Sequence, residues 1–173
     1  MDIENNMHMK VWSMPDMSLM FSVPLRSEPT AIDFSPTLPM CALGYSDGQI
    51  RLVEIVGNQP REVTNPHTLE QHIDAVCSLS FCDELKVYAS SSVDGQLKVW
   101  DLGNRLLDRV LLNKDPKVCF FNGRQGEIVI CQGNYLLKVT KETWLPPGGQ
   151  RALEVSNNQL AVMKIQARVR GSR

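Results

Sequence analysis

The 173-residue sequence predicts an all-β chain: about three to four four-stranded antiparallel units in series, followed by a short C-terminal helix. Three observations predict it. The sequence matches itself without a gap when shifted by 47 positions. Apolar and polar residues alternate along "TAIDF" and "AVCSLSF", one in each copy, as in half-buried strands. An Asp-Gly pair, a strong hairpin signal, falls at the same place in both copies.

The shift lays Phe34 on Phe81, Leu38 on Leu85 and Ala42 on Ala89. It lays Asp47, Gly48 and Gln49 on Asp94, Gly95 and Gln96, and Ile50, Arg51 and Leu52 on Leu97, Lys98 and Val99. Such a period is close to that of a four-stranded propeller blade, about 40–45 residues. Each unit therefore reads as an antiparallel meander and not as βαβ.

The elements follow in order. "NMHMKVW" at Asn6–Trp12 shares Lys-Val-Trp with "DGQLKVW", so the chain enters a blade near its third strand. "TAIDF", "MCALGY" and "QIRLVEI" are three strands of the next blade, with Asp47-Gly48 joining the last two. "AVCSLSF", "VYASSS" and "QLKVWDL" repeat them, and "RLLDRVLL" supplies an outer strand. "KVCFF", "EIVICQG" and "YLLKVT" are three strands of another blade, with "GRQG" and Gly133-Asn134 as its turns. Both central residues of the Asp-Gly turns are expected at positive φ, as in a type I′ turn.

These residues resemble the WD40-repeat family. The resemblance covers roughly residues 5–145 and is best from about His72 to Asp101. "QH" at Gln71–His72 stands where the family has Gly-His, and "VDGQLKVWD" supplies the Asp, the Gly and the closing Trp100-Asp101. The resemblance implies a hydrogen-bonded set of His72, Ser90, Asp94 and Trp100. The upstream copy departs from it: Leu25, Leu43 and Val53 replace His72, Ser90 and Trp100, and only Asp47 survives. The residue types of the set also invite a Ser-His-Asp triad. A triad needs an exposed nucleophile and an oxyanion hole. Held between strands under a Trp, the set is expected to be structural, with no catalytic residue. A hydrolase using Ser90 and His72 is the competing class, and it predicts labelling of Ser90 by an activated phosphonate.

Propellers close rings of roughly four to eight blades, whereas this chain offers one partial, two full and one irregular blade. The ring is expected to be incomplete. It is read as lost by truncation or completed by a partner, because open blade faces and strand edges invite aggregation.

Residues 1–145 are therefore assigned to blades, 146–155 with "PPGG" to a linker, and 156–173 to a basic amphipathic helix capped by Ser156 or Asn157. Within that helix "IQARVRG" resembles an IQ motif, the I-Q-x-x-x-R-G element that binds calmodulin and EF-hand light chains. The resemblance implies that Ile165 enters an apolar groove, Gln166 bonds its backbone and Arg170 meets acidic surface, with Gly171 the last residue of the matched motif. Only Ser172 and Arg173 follow, so the second basic residue and apolar anchor of the motif are missing and binding to a single lobe is implied. A basic tail lying on the protein or an anionic surface is the alternative.

Composition narrows the classes further. The formal net charge is −1 and apolar residues make up 43%, which gives no reason to expect nucleic acid. No apolar run approaches the roughly 20 residues of a membrane span, and the N-terminus lacks a signal-type apolar region. The five cysteines form no CxxC pair and are read as small hydrophobes of a reducing compartment. No phosphate loop, metal cluster or cofactor motif is found. Tyr45, Arg51, Arg61 and Lys98 are placed on exposed rims, without a convergent cluster.

The reading is a non-enzymatic, cytoplasmic interaction scaffold, and WD40 segments joined to an IQ element resemble structural proteins of the cytoskeleton or cilium. The alternative is a truncated product without a binding function of its own.

Overall fold

A computed structural model describes residues 7–25, 27–56, 59–63, 68–112, 116–145 and 163–165. The first unit is an antiparallel pair, β1 (His8–Trp12) and β2 (Leu19–Pro24). The second is a four-stranded meander of β3 (Pro29–Phe34), β4 (Met40–Tyr45), β5 (Ile50–Val56) and β6 (Gln59–Val63). The third contains β7 (Val76–Cys82), β8 (Val87–Ser92), β9 (Gln96–Asp101) and β10 (Leu106–Leu111). The fourth contains β11 (Val118–Phe121), β12 (Ile128–Gln132), β13 (Tyr135–Val139) and β14 (Met163–Ile165). The single turn α1 (Lys141–Trp144) follows β13. Strands β3, β7 and β11 stand side by side as the inner row.

Period-2 alternation explains the packing. All six residues of β4 and all six of β8 are buried, because each strand serves two interfaces. Met40 and Ala42 of β4 join Phe81, Tyr88 and Trp100 in the core between the second and third units. Cys41, Leu43 and Tyr45 turn the other way, against Met9 and Leu25 of the first. Val87 and Ala89 of β8 meet Ile128, Ile130 and Trp144 of the fourth. No unit buries both faces alone, so the blades stabilise one another in series.

Polar ties reinforce these seams. Asp33 accepts the backbone N–H of Phe81 at 2.9 Å, and Ser80, one repeat later, accepts that of Phe121 at 3.1 Å. Asp83 of the third blade accepts the Ser35 hydroxyl at 2.7 Å and both the N–H and hydroxyl of Thr37 at 2.6 Å. Burial opposes the Asp83 charge, but these bonds outweigh it and hold the carboxyl below its ordinary range. Sequence reasoning missed Asp33 and Asp83. Their signal was a polar residue in or beside an inner strand.

Two expectations are corrected. The Asp-Gly turns are not type I′: Gly48 and Gly95 have φ of 85° and 77°, while neither aspartate is at positive φ. Gly48 N–H instead closes on Tyr45 C=O at 3.2 Å and Gly95 N–H on Ser92 C=O at 3.1 Å. A turn followed by a left-handed Gly is the bulged three-residue hairpin loop. Next, Tyr45 and Lys98 are not on a rim, at 1% and 5% exposure. Arg51 is largely covered and paired with Glu62 at 2.9 Å, and only Arg61 stands exposed. The linker 146–155 and, but for residues 163–165, the helix expected over 156–173 fall outside the described residues. The three tail residues that are described form β14, with Leu136 opposite Ile165 and Lys138 opposite Met163. The edge of β13 offers unpaired backbone groups, and a fourth strand satisfies them as in the neighbouring blades.

Candidate functional site

The four residues singled out by the repeat meet in the third blade. His72 precedes β7, Ser90 sits in β8, Asp94 in the β8–β9 turn and Trp100 in β9. His72 Nδ1 lies 2.8 Å from Asp94 Oδ2, and His72 Nε2 lies 2.8 Å from Ser90 Oγ. Trp100 Nε1 donates to Ser90 Oγ at 2.8 Å. One proton arrangement uses every donor: Trp100 N–H to Ser90, Ser90 O–H to Nε2, and Nδ1–H to a carboxylate. It requires a neutral imidazole. Burial pushes the His72 pKa down in that direction, against the pull of Asp94. Burial opposes the Asp94 charge, but the bonds from His72 and from the Ile73 and Gln96 N–H groups lower its pKa.

The surroundings seal the set. Ser90 and Trp100 are at 0% exposure and His72 at 4%. Trp100 stacks on Tyr88 with ring centroids 6.1 Å apart, and Tyr88 meets Phe81 at 5.5 Å. The Lys98 ammonium donates to the carbonyls of Glu70 and Gln71 at 2.8 and 2.9 Å and so pins the segment that carries His72. The second blade packs on the same segment. Gly48 lies so close that a Cβ there would stand 2.3 Å from the His72 carbonyl oxygen, and Gln71 Oε1 accepts the Ile50 N–H at 2.7 Å. The set thus ties a connecting loop, a hairpin turn and two strands together.

The second blade keeps one link of the set. Asp47 Oδ1 accepts the Gln49 N–H at 3.0 Å, as Asp94 does for Gln96 at 2.9 Å. Leu43 and Val53, with Leu25 beside them, make an apolar core where the third blade has Ser90, Trp100 and His72. Exchanging all partners of a buried polar network for apolar groups leaves nothing unsatisfied, so both solutions are stable.

Of the residues placed in the EF-hand element, Ile165 lies in β14, and Gln166, Arg170 and Gly171 fall outside the described residues. No disulfide joins the five cysteines. Burial pushes the Cys41 and Cys119 thiols up to about 11, where they behave as hydrophobes. Among the described residues no group of His, Cys, Asp and Glu is arranged to hold a metal ion. None of the described helices is long and apolar enough to cross a membrane.

Comparison with known proteins agrees with this geometry. Residues 64–101 match the family model described as "WD domain, G-beta repeat". Human WD repeat-containing protein 97 is 31% identical over 121 residues, which is 64% of this chain and 7% of that protein. The chain therefore spans about 7% of the length of this curated relative. Among solved structures, the computationally designed Ika4 protein superposes with a TM-score of 0.64 at 23% identity, covering 77% of this chain and 79% of that one. Sqt1 of Saccharomyces cerevisiae gives a TM-score of 0.64 at 13% identity, covering 80% of this chain and 41% of that one. At these identities the structures speak for the fold alone. The WD repeat match thus spans the His72–Trp100 set, and the blades on either side have the fold of the solved propeller-type neighbours.

Proposed function

We propose that the chain is a non-enzymatic interaction scaffold. Its blade faces, edges and loops bind other proteins, and the Ile165–Gly171 element recruits calmodulin or another EF-hand protein in a cytoplasmic assembly of cytoskeletal or ciliary type. The observation that carries the non-enzymatic reading is the burial of the His72 set. Ser90 is at 0% exposure, and its hydroxyl is bonded to both His72 and Trp100. A nucleophile so enclosed has no path for substrate and no space for an oxyanion. The set instead locks the blade that presents the binding surface.

The tail reading rests on the "IQARVRG" motif. An EF-hand lobe takes such an element as a helix with an apolar stripe. Met163–Ile165 therefore has to leave the edge of β13 before it can be bound, and docking of β14 competes with the EF-hand protein. The test is calorimetric titration of the full chain with calmodulin, with and without Ca²⁺. Binding that Ile165→Asp abolishes is expected. No binding, or binding indifferent to Ile165→Asp, overturns the recruitment.

A further inference from the structure

The repeat places two equivalent clefts at neighbouring seams, one filled and one open. The shift of 47 lays Leu38, Met40 and Val63 of the second blade on Leu85, Val87 and Val110 of the third. Leu85, Val87 and Val110 pack with Trp144 in the core between the third and fourth blades. Trp144 reaches them from α1, the turn that follows β13, and is only 1% exposed. Its Nε1 donates to the Gly126 carbonyl at 2.9 Å, and Phe121 meets the indole edge-on with ring centroids 6.2 Å apart.

At the seam between the second and third blades the corresponding turn follows β9 and offers Leu102 in place of an indole. It leaves a cleft of about 450 Å³ with Leu38, Met40, Val63 and Leu102 as apolar lining and Glu54 and Arg61 beside them. Ligand sites span roughly 300–1,000 Å³. Both blades that bound the cleft have all four strands. Its walls are fixed. Asp83 holds the turn that carries Leu38 through Ser35 and Thr37. Asn104 holds the turn that carries Leu102: it accepts the Tyr88 hydroxyl and donates to the Val63 carbonyl at 3.4 Å. Glu54 and Arg61 lie opposite each other on β5 and β6. Arg51 takes Glu62, and among the described residues neither Glu54 nor Arg61 has an ion-pair partner.

We propose that this cleft binds a peptide segment of a partner protein through an aromatic side chain, with a basic and an acidic neighbour meeting Glu54 and Arg61. The chain's own solution at the next seam argues for that occupant. There the repeat-related apolar residues receive an indole, and Lys141 and Glu142 stand just before it. An aromatic anchor would take the apolar lining out of water, and the preset walls spare binding the cost of ordering them. The inference rests on the reading of the chain as an interaction scaffold and gives that scaffold a site. Recruitment of calmodulin through Ile165 does not use the cleft, so either reading can fail without the other.

The test uses the full chain and a fluorescein-labelled peptide of residues 139–145 as the probe, read by fluorescence anisotropy. Saturable binding is expected, and the same peptide carrying Trp144→Ala, or in scrambled order, should bind about tenfold more weakly or worse. In the full chain Leu102→Trp fills the cleft from the chain's own turn, as Trp144 does at the next seam, and should weaken binding by about tenfold or more. Arg61→Glu sets a second carboxylate opposite Glu54 and should weaken it several-fold. Circular dichroism checks that both variants are folded; if Leu102→Trp is not, the exposed Arg61→Glu carries the test. Arg124→Glu, whose side chain is 85% exposed on the turn between β11 and β12, should leave binding unchanged. No saturable binding, equal binding of the Ala or scrambled peptide, or insensitivity to both cleft variants overturns the proposal. So does concentration-dependent dimerisation that Leu102→Trp abolishes while the peptide does not bind, which assigns the cleft to a second copy.

Discussion

Replacing Ser90 by Ala isolates the contribution of the buried polar set. The change keeps volume and removes one oxygen. That oxygen accepts from Trp100 Nε1 and donates to His72 Nε2, each at 2.8 Å. Without it, a buried indole N–H and a buried imidazole nitrogen lose their partners. Each orphaned group costs about 1–3 kcal/mol, so Ser90→Ala should cost roughly 2–6 kcal/mol. A whole domain has only about 5–15 kcal/mol of stability. The neighbouring Ser91 is the internal control. It is equally buried, but its hydroxyl has only the weak Cys119 thiol beside it. Ser91→Ala should therefore stay within about 1 kcal/mol of the parent. Urea unfolding followed by tryptophan fluorescence reads both variants. If Ser90→Ala and Ser91→Ala agree within about 0.5 kcal/mol, the energetic case for the lock is wrong.

Further predictions follow from the same geometry. Burial holds the His72 pKa below its ordinary 6.5, so the unfolded chain takes up a proton the native fold resists. Its contribution to stability is complete above about pH 6.5 and declines as the pH falls below it. Urea midpoints at pH 7.5 and 5.5 should differ in that direction, and less so in His72→Gln; a midpoint that rises on acidification contradicts the assignment. Gly95→Ala should cost about 1–2 kcal/mol for its positive φ. Gly48→Ala should cost about 1–3 kcal/mol more, because its Cβ would stand 2.3 Å from the His72 carbonyl oxygen while that of Gly95 meets nothing nearer than 3.6 Å. Equal melting temperatures for the two would refute the close approach. Asp83→Ala removes the acceptor of Ser35 and Thr37. It should cost about 1.5–3 kcal/mol and speed amide exchange on both sides of the seam between the second and third blades, whereas exchange confined to the third would refute the tie.

The blades were legible because a repeat and a period of two are local properties of the chain. Every strand from β3 to β13 except β6 falls on a segment that the repeat, the alternation or the turn signals mark as a strand, and the shift of 47 aligns Asp47 with Asp94. Polar contacts between blades were less legible. Whether Asp33 faces solvent or the Phe81 N–H depends on where the next blade sits, and no pattern within one strand records that. Lys98 looked like a rim cation because its charge says surface. The fold lays its alkyl stem along the blade and caps the ammonium with two loop carbonyls. The turn type was misjudged because Asp-Gly fits both a two-residue loop and a bulged one, and bonds outside the dipeptide decide between them. In the tail, "MKI" suits a helix stripe as well as a strand, and the described residues 163–165 pair with the edge of β13.

The central claim is that the His72–Ser90–Asp94–Trp100 set is a lock in an interaction module and not a catalytic device. Its most direct test is exposure of the native chain to a fluorophosphonate, with the modified residues mapped by mass spectrometry. The account predicts no adduct at Ser90 beyond that of the same chain with His72→Gln. A stoichiometric Ser90 adduct that depends on His72 would contradict it.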